Sequence, residues 1–228
     1  MDIAYLLVVL GVILVSMILH EVMHGLMAFW LGDDTAKMLG RLTLNPVKHI
    51  DPFLTIGLPL LIVITNMLTG TYTPIFGGAK PVPFNPARVR YGEWGWALVG
   101  LAGPFTNLII AFIAFGALFV VDSQAAQALA SLRFEMAGVD ISFILIQTIL
   151  VNLGFFAFNM LPIPPLDGSR LLYALAPDFV RRGMEAVERQ GIVVVFIIVL
   201  LAQGLIGKLM VAIIGACITV FARLFGIA

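Results

Sequence analysis

Apolar residues run almost unbroken through residues 3–31, 95–121 and 141–160. Each run is long enough to cross a bilayer core, which takes about 20 helical residues. Trp30, Trp94 and Trp96 fall at the ends of these runs, where interfacial aromatics belong. The opening run has neither a basic leader nor a small-residue cleavage site and is expected to be a retained span. Residues 32–52 lose the helical period and collect Asp33, Asp34, Lys37, Arg41 and Lys48 between the breakers Pro46 and Pro52, which predicts short strands outside the hydrocarbon. Residues 72–90, with Gly77, Gly78, Pro81, Pro83 and Pro86, read the same way. Between them the apolar stretch 53–68 is short and broken by Gly57 and Pro59.

Further along, residues 122–138 are mixed and polar, with Asp122, Ser123, Gln124 and Arg133, and predict an aqueous connection. In residues 177–190 Val180, Met184 and Val187 share one helical face, while Arg181, Glu185 and Arg189 stand at i,i+4 spacing, the pattern of a surface amphipathic helix. Residues 191–225 are too long for one span and are interrupted by Gly204, Gly207 and Lys208, which predicts two short helices. The pattern as a whole predicts an α-helical polytopic membrane protein: a bundle of about five or six membrane segments with a small membrane-associated β element in the first loop. One domain is expected over residues 1–228, with a core at about 3–175 and carboxyl-terminal helices at about 191–225.

Composition narrows the class. Of 228 residues, 61% are hydrophobic and 11% charged, and the mean hydropathy is +1.08, which excludes a soluble globular domain and a disordered chain. Lys and Arg number 13, as do Asp and Glu, so no basic excess is present to hold nucleic acid. The single cysteine, Cys217, cannot form an internal disulfide.

Chemistry concentrates at His20-Glu21-Val22-Met23-His24. At i and i+4 the two imidazoles share one helical face, roughly 6 Å apart, and can bind one Zn²⁺. Glu21, beside the first ligand, can reach a water on that metal. Ionisable groups inside an apolar helix are costly and by default functional. A catalytic zinc usually takes three protein ligands, so a third must come from elsewhere. Asp167 is the leading candidate, because it follows a span directly and sits in the proline-broken segment that ends at Gly168. Non-helical backbone at membrane depth is tolerated only where protein or a water-filled cavity surrounds it. His49 and Asp51, in the first loop, are the rivals.

With these residues in hand, the sequence resembles the site-2 protease family of intramembrane zinc metalloproteases. Residues 20–24 match its first motif, and Asn159-Met160-Leu161-Pro162-Ile163-Pro164-Pro165-Leu166-Asp167-Gly168 match its second. Gly103-Pro104-Phe105-Thr106-Asn107 matches its small-residue motif, and Phe76-Gly77-Gly78 its membrane-edge strand. The chain is similar to the short members that carry neither PDZ nor CBS domains. The resemblance implies His20, His24 and Asp167 as zinc ligands, Glu21 as general base and Asn159 as a hydrogen-bonding group near the scissile carbonyl. It also implies transmembrane proteins as substrates. Gly103 and Asn107 read first as close helix packing; Asn107, with Gly77 and Gly78, is in addition a candidate for substrate contact.

If both motifs reach one metal, an even number of crossings separates them, and residues 53–68 should then be re-entrant or interfacial. Lys37, Arg41, Lys48, Lys80, Arg88, Arg90, Arg170, Arg181, Arg182 and Arg189 would share one side, with Arg133 alone opposite, so that side is expected to be cytoplasmic and the amino terminus outside. The expectation is a multi-pass protein of a prokaryotic plasma membrane. The competing reading is a transporter or channel with an intramembrane His/Asp metal site.

Overall fold

The computed structural model describes residues 3–57, 60–61, 64–65, 68, 79–131, 138–190 and 203–227. In chain order its long elements are α1 (Ile3–Trp30), α2 (Thr35–Met38), α3 (Gly92–Val121), α4 (Ser123–Ala130), α5 (Ile141–Asn159), α6 (Gly168–Leu175), α7 (Asp178–Arg189) and α8 (Gln203–Leu224). Helices α1, α3, α5 and α8 are long and apolar enough to cross a membrane, which makes four candidate spans among the described residues. Their outer faces are apolar too: Leu7 and Ile113 are each 64% exposed and Val120 82%. Helices hydrophobic all round have lipid for a solvent.

Helix α3 is central and packs against α1, α5 and α6. One core joins Ala111, Ala114, Phe115 and Leu118 of α3 to Ile149 and Leu153 of α5 and to Ile218 and Phe221 of α8. A second joins Val9, Ile13 and Met17 of α1 to Phe143 of α5. Pro104 lies inside α3, a position that membrane helices tolerate where neighbouring segments re-satisfy the freed carbonyl.

Three expectations are corrected in part. First, residues 32–52 and 79–91 contain no strand; they hold α2 and 3-10 turns at Pro46–Lys48 and Pro86–Arg88. The extended segment before Pro86 spends its amides elsewhere: Lys80 N–H donates to the His49 carbonyl at 2.8 Å and Val82 N–H to Glu21 Oε2 at 2.9 Å. The alternate residues Pro81 and Pro83 have no amide to offer a neighbouring strand. Second, Gly207 and Lys208 do not interrupt the chain, since α8 runs through them from Gln203 to Leu224; the first of the two expected helices falls on residues 191–202, outside the described residues. An interior glycine costs about 1 kcal/mol in a helix, but leaving the helix in lipid would strand backbone groups at greater cost. Lys208 lies near the start of α8 and is exposed, so its stem can carry the ammonium to the interface. Third, the connection after α3 is partly the helix α4, whose Ala126 and Leu129 are fully buried in the bundle. Asp122 and Asp140 accept the amides of Ala125 and Phe143 at its two ends.

Within the stretch 53–68, residues Pro52–Gly57 form a π-type turn, and Leu60, Leu61, Ile64 and Leu68 are helical and exposed. Residues 58–59, 62–63 and 66–67 of the stretch lie outside the described residues. Gly77, Gly78 and Arg133 lie outside the described residues, as do residues 191–202.

The amphipathic helix α7 has other partners than those its spacing predicts. Arg181 pairs with Glu93 of α3 at 3.3 Å, Glu185 accepts from the Tyr173 hydroxyl at 2.7 Å, and Arg170 of α6 pairs with Glu188. These bonds tie α7 to α6 and to the start of α3.

The first loop is held to the end of α1 by Asp33, which is fully buried. Its carboxylate accepts from the Thr35 amide and hydroxyl and, at 2.6 Å, from the Asn85 amide. Burial alone would raise its pKa, but the donated hydrogen bonds and the charge of Arg88 outweigh burial and hold the carboxyl below its ordinary range. Because the folded-state pKa is depressed, this stabilisation is present above the ordinary carboxyl range and is lost as pH falls through the folded value. In detergent, thermal unfolding from about pH 6 to about pH 3 should therefore show a steeper loss for wild type than for Asp33→Asn. Parallel curves for the two proteins would contradict this role.

Candidate metal centre

His20 and His24 lie in the second half of α1, on the face turned to α3. Their Nε2 atoms are 3.0 Å apart, and Asp167 Oδ2 lies 3.1 Å from His20 Nε2 and 3.3 Å from His24 Nε2. Among the described residues these three form the group able to hold a metal. The rings stand edge to face, with an interplanar angle of 86°, so their ring nitrogens converge without stacking.

Each histidine is fixed from behind. His20 Nδ1–H donates to Asn107 Oδ1 at 2.6 Å, and His24 Nδ1–H donates to the Val99 carbonyl at 2.7 Å. In that tautomer Nε2 presents its lone pair to the shared point, the arrangement that metal-binding imidazoles adopt. Both partners belong to α3.

Asp167 arrives from the other direction. The segment after α5 turns through Ile163 N–H to Leu161 O and Leu166 N–H to Ile163 O, each 2.8 Å, and contains a cis Pro164-Pro165 bond. Asp167 then stands at the start of α6 without capping it through its side chain, so the carboxylate faces the histidines instead. Two glycines allow the approach. A Cβ on Gly168 would lie 2.5 Å from the Met160 carbonyl oxygen, and one on Gly100 would lie 3.0 Å from the Asp167 carbonyl oxygen.

Gly103 matters most. A Cβ there would sit 2.5 Å from His24 Nε2 and 2.6 Å from His20 Nε2, inside van der Waals contact with both ligand atoms. The motif Gly103–Asn107 is thus more than close packing: Gly103 leaves room for the imidazoles, and Asn107 four residues on orients one of them. Asn107 is fully buried, with its amine on Asn152, so its amide is committed behind His20.

Glu21 is half-buried, and its Oε2 accepts from Val82 N–H at 2.9 Å. Asn159 donates its amine to the Phe155 carbonyl of its own helix at 3.1 Å and is not in the metal-competent group. The rival His49 is buried, with Nε2 on the Thr43 carbonyl at 2.8 Å; neither it nor Asp51 joins the group. The pattern of residue types missed Ser16, Asn152 and the Val99 carbonyl. Asn152, a fully buried amide within an apolar span, carried a signal that could have been read; the backbone carbonyl carried none.

The donor set fits zinc. Two neutral imidazoles and one carboxylate are a common catalytic triad of ligands, and a tetrahedron with bonds of about 2.0–2.1 Å has edges of about 3.3 Å. The observed edges of 3.0, 3.1 and 3.3 Å are close to that. Asp167 is the most exposed of the three, at 23% of its side chain against 9% and 11% for the histidines, so the group is most open on its side.

Four apolar helices around a buried His-His-Asp centre define an integral membrane metalloenzyme. Peptidase family M50 matches residues 8–203, and the chain belongs to that family, the site-2 protease family. YwhC of Bacillus subtilis (strain 168), named as a zinc metalloprotease, is 40% identical over 193 residues, covering 84% of this chain and 80% of its own. Rip2 of Mycolicibacterium smegmatis, named likewise, is 30% identical over 196 residues, 86% of this chain and 67% of its own. Rip2 of Mycobacterium tuberculosis H37Rv is 31% identical over 199 residues, 85% and 66%. No solved structure matches. The protein is a zinc metalloprotease, and its cofactor is Zn²⁺.

Gly103→Ala should lower zinc affinity by about tenfold or more, with helix content unchanged, since alanine is the better helix former. Chelator competition beside circular dichroism checks this; undiminished affinity would mean that the histidines do not need the space.

Proposed function

We propose that the chain is an intramembrane endopeptidase that cuts transmembrane segments of other proteins near the cytoplasmic leaflet, with His20, His24 and Asp167 as the zinc ligands. The observation that carries this reading is a metal-competent triangle set within apolar helices, with the carboxylate of Glu21 on the residue next to its first histidine. Zinc, when bound, lowers the pKa of a coordinated water to about 7 and polarises the peptide carbonyl. Glu21 takes the proton released as the water attacks and delivers it to the leaving amine. Val82 N–H, on Oε2, fixes the carboxylate and leaves Oε1 for that transfer. Asn159 offers its second amine hydrogen to the developing oxyanion.

A peptide bond inside a helix is shielded, so substrate must unwind before it is cut. Gly77 and Gly78 are assigned to contact with the backbone of the opened substrate. Charge supports the sidedness: ten Lys and Arg residues from Lys37 to Arg189 share the side on which the two motifs meet, against Arg133. The amino terminus is then outside and the site faces the cytoplasm of a prokaryotic cell.

Purified protein in liposomes with a single-span substrate tests the reading. Glu21→Gln should keep stoichiometric zinc and lose cleavage by several orders of magnitude, and mass spectrometry of wild-type fragments should place the cut in the cytoplasmic half of the span. Loss of zinc with the carboxylate would make Glu21 a ligand, and cleavage only in exposed loops would refute action within the membrane.

A further inference from the structure

The hydrogen bond on His20 does not end at Asn107. Asn107 Nδ2–H donates to Asn152 Oδ1 of α5 at 2.8 Å. Asn152 Nδ2 in turn donates to two groups, Ser16 Oγ of α1 and the Thr148 carbonyl, each at 2.8 Å. Ser16 is one helical turn before His20, so the chain closes on the helix where it began, through three spans. Ser16, His20, Asn107 and Asn152 are all buried, both asparagines completely.

An asparagine amide can be turned over, exchanging donor for acceptor, and a hydroxyl can serve as either. The Thr148 carbonyl cannot: it only accepts. It therefore fixes which end of Asn152 is the amine, which leaves Asn152 Oδ1 facing Asn107. Asn107 must meet that oxygen with its amine, so its own Oδ1 faces His20. An oxygen there requires a proton on Nδ1, and neutral His20 then carries its lone pair on Nε2. Every orientation follows from one acceptor-only group about two side chains away from the ring.

The geometry points to Asn152 as a positioning residue for zinc binding: through Asn107 it presets the tautomer and ring angle of His20 before the metal arrives. This rests on His20 being a ligand, as proposed above. Turned over, Asn107 would set its amine against Nδ1, favouring a proton on Nε2 where zinc must bind. In a bilayer interior no water corrects a wrong orientation, so a polar chain holds one arrangement only if every member is satisfied.

Zinc affinity of detergent-purified variants, measured by chelator competition, tests this. Asn107→Leu should weaken binding by about 10- to 100-fold, the usual cost of losing such a partner. Asn152→Leu, which touches no ligand, should weaken it by about fivefold or more, and adding it to Asn107→Leu should cost less than about twofold further. Asn107→Asp should keep the affinity within about threefold, because a carboxyl still accepts from His20 and in its neutral form can donate to Asn152. In the zinc-loaded protein the Nδ1 proton resonance of His20 should shift upfield in Asn152→Leu. Wild-type affinity in Asn152→Leu, a full independent cost in the double variant, or an Asn107→Asp loss as large as that of Asn107→Leu would each overturn the relay. Failure of wild type to bind zinc would instead count against the ligand assignment itself.

Discussion

Three metal-competent side-chain atoms from segments more than 140 residues apart meet within 3.3 Å inside an apolar bundle, and the remainder of the structure accommodates that meeting. The surface on which they meet is α3. Gly100 and Gly103 remove the side chains that would stand between α1, α3 and the turn bearing Asp167, while Val99 and Asn107 of the same helix hold the two imidazoles. Between spans in lipid the hydrophobic effect offers little drive, so close packing and hydrogen bonds set the arrangement. A glycine inside a helix is unfavourable by about 1 kcal/mol, a modest cost beside losing the metal.

The polar groups that run behind His20 and His24 each have a specific partner. Interhelical hydrogen bonds in membranes average only about 0.6 kcal/mol, so the run from His20 through Asn107 and Asn152 to Ser16 contributes register and orientation more than stability. Outside the hydrocarbon, ion pairs do the corresponding work: Arg170 with Glu188 ties α6, whose first residues follow Asp167, to α7, and Arg181 with Glu93 ties α7 to α3. The first loop is brought back over α1 by Asp33 and Arg41, and it delivers Val82 N–H to the Glu21 carboxylate. Fold and chemistry share the same few contacts there.

Much of this was legible in the sequence. Residue spacing alone marked His20, Glu21 and His24, and a proline-broken segment after a span singled out Asp167 over His49 and Asp51. The limits of α1, α3, α5 and α7 lie within a few residues of the hydrophobic pattern. The errors have physical causes. Gly207 and Lys208 suggested a break by rules that hold in water, whereas in lipid α8 runs through both. Glycines and prolines over residues 72–90 suggested strand and turn, whereas the described part of that segment holds no strand and turns its Lys80 and Val82 amides to His49 and Glu21. The amides of Asn152 and Asn107 carried a signal as polar groups in apolar spans, yet which atoms they turn toward is decided by tertiary contact. The Val99 carbonyl has no sequence signature.

X-ray absorption at the zinc edge of an Asp167→Cys variant tests the central claim, that the segment after α5 completes a metal site begun on α1. A thiolate in place of the carboxylate should appear as a sulfur scatterer at about 2.3 Å, beside two imidazole nitrogens at about 2.0–2.1 Å. Zinc retained with nitrogen and oxygen neighbours but no sulfur would show that the third ligand lies elsewhere, and would contradict the account.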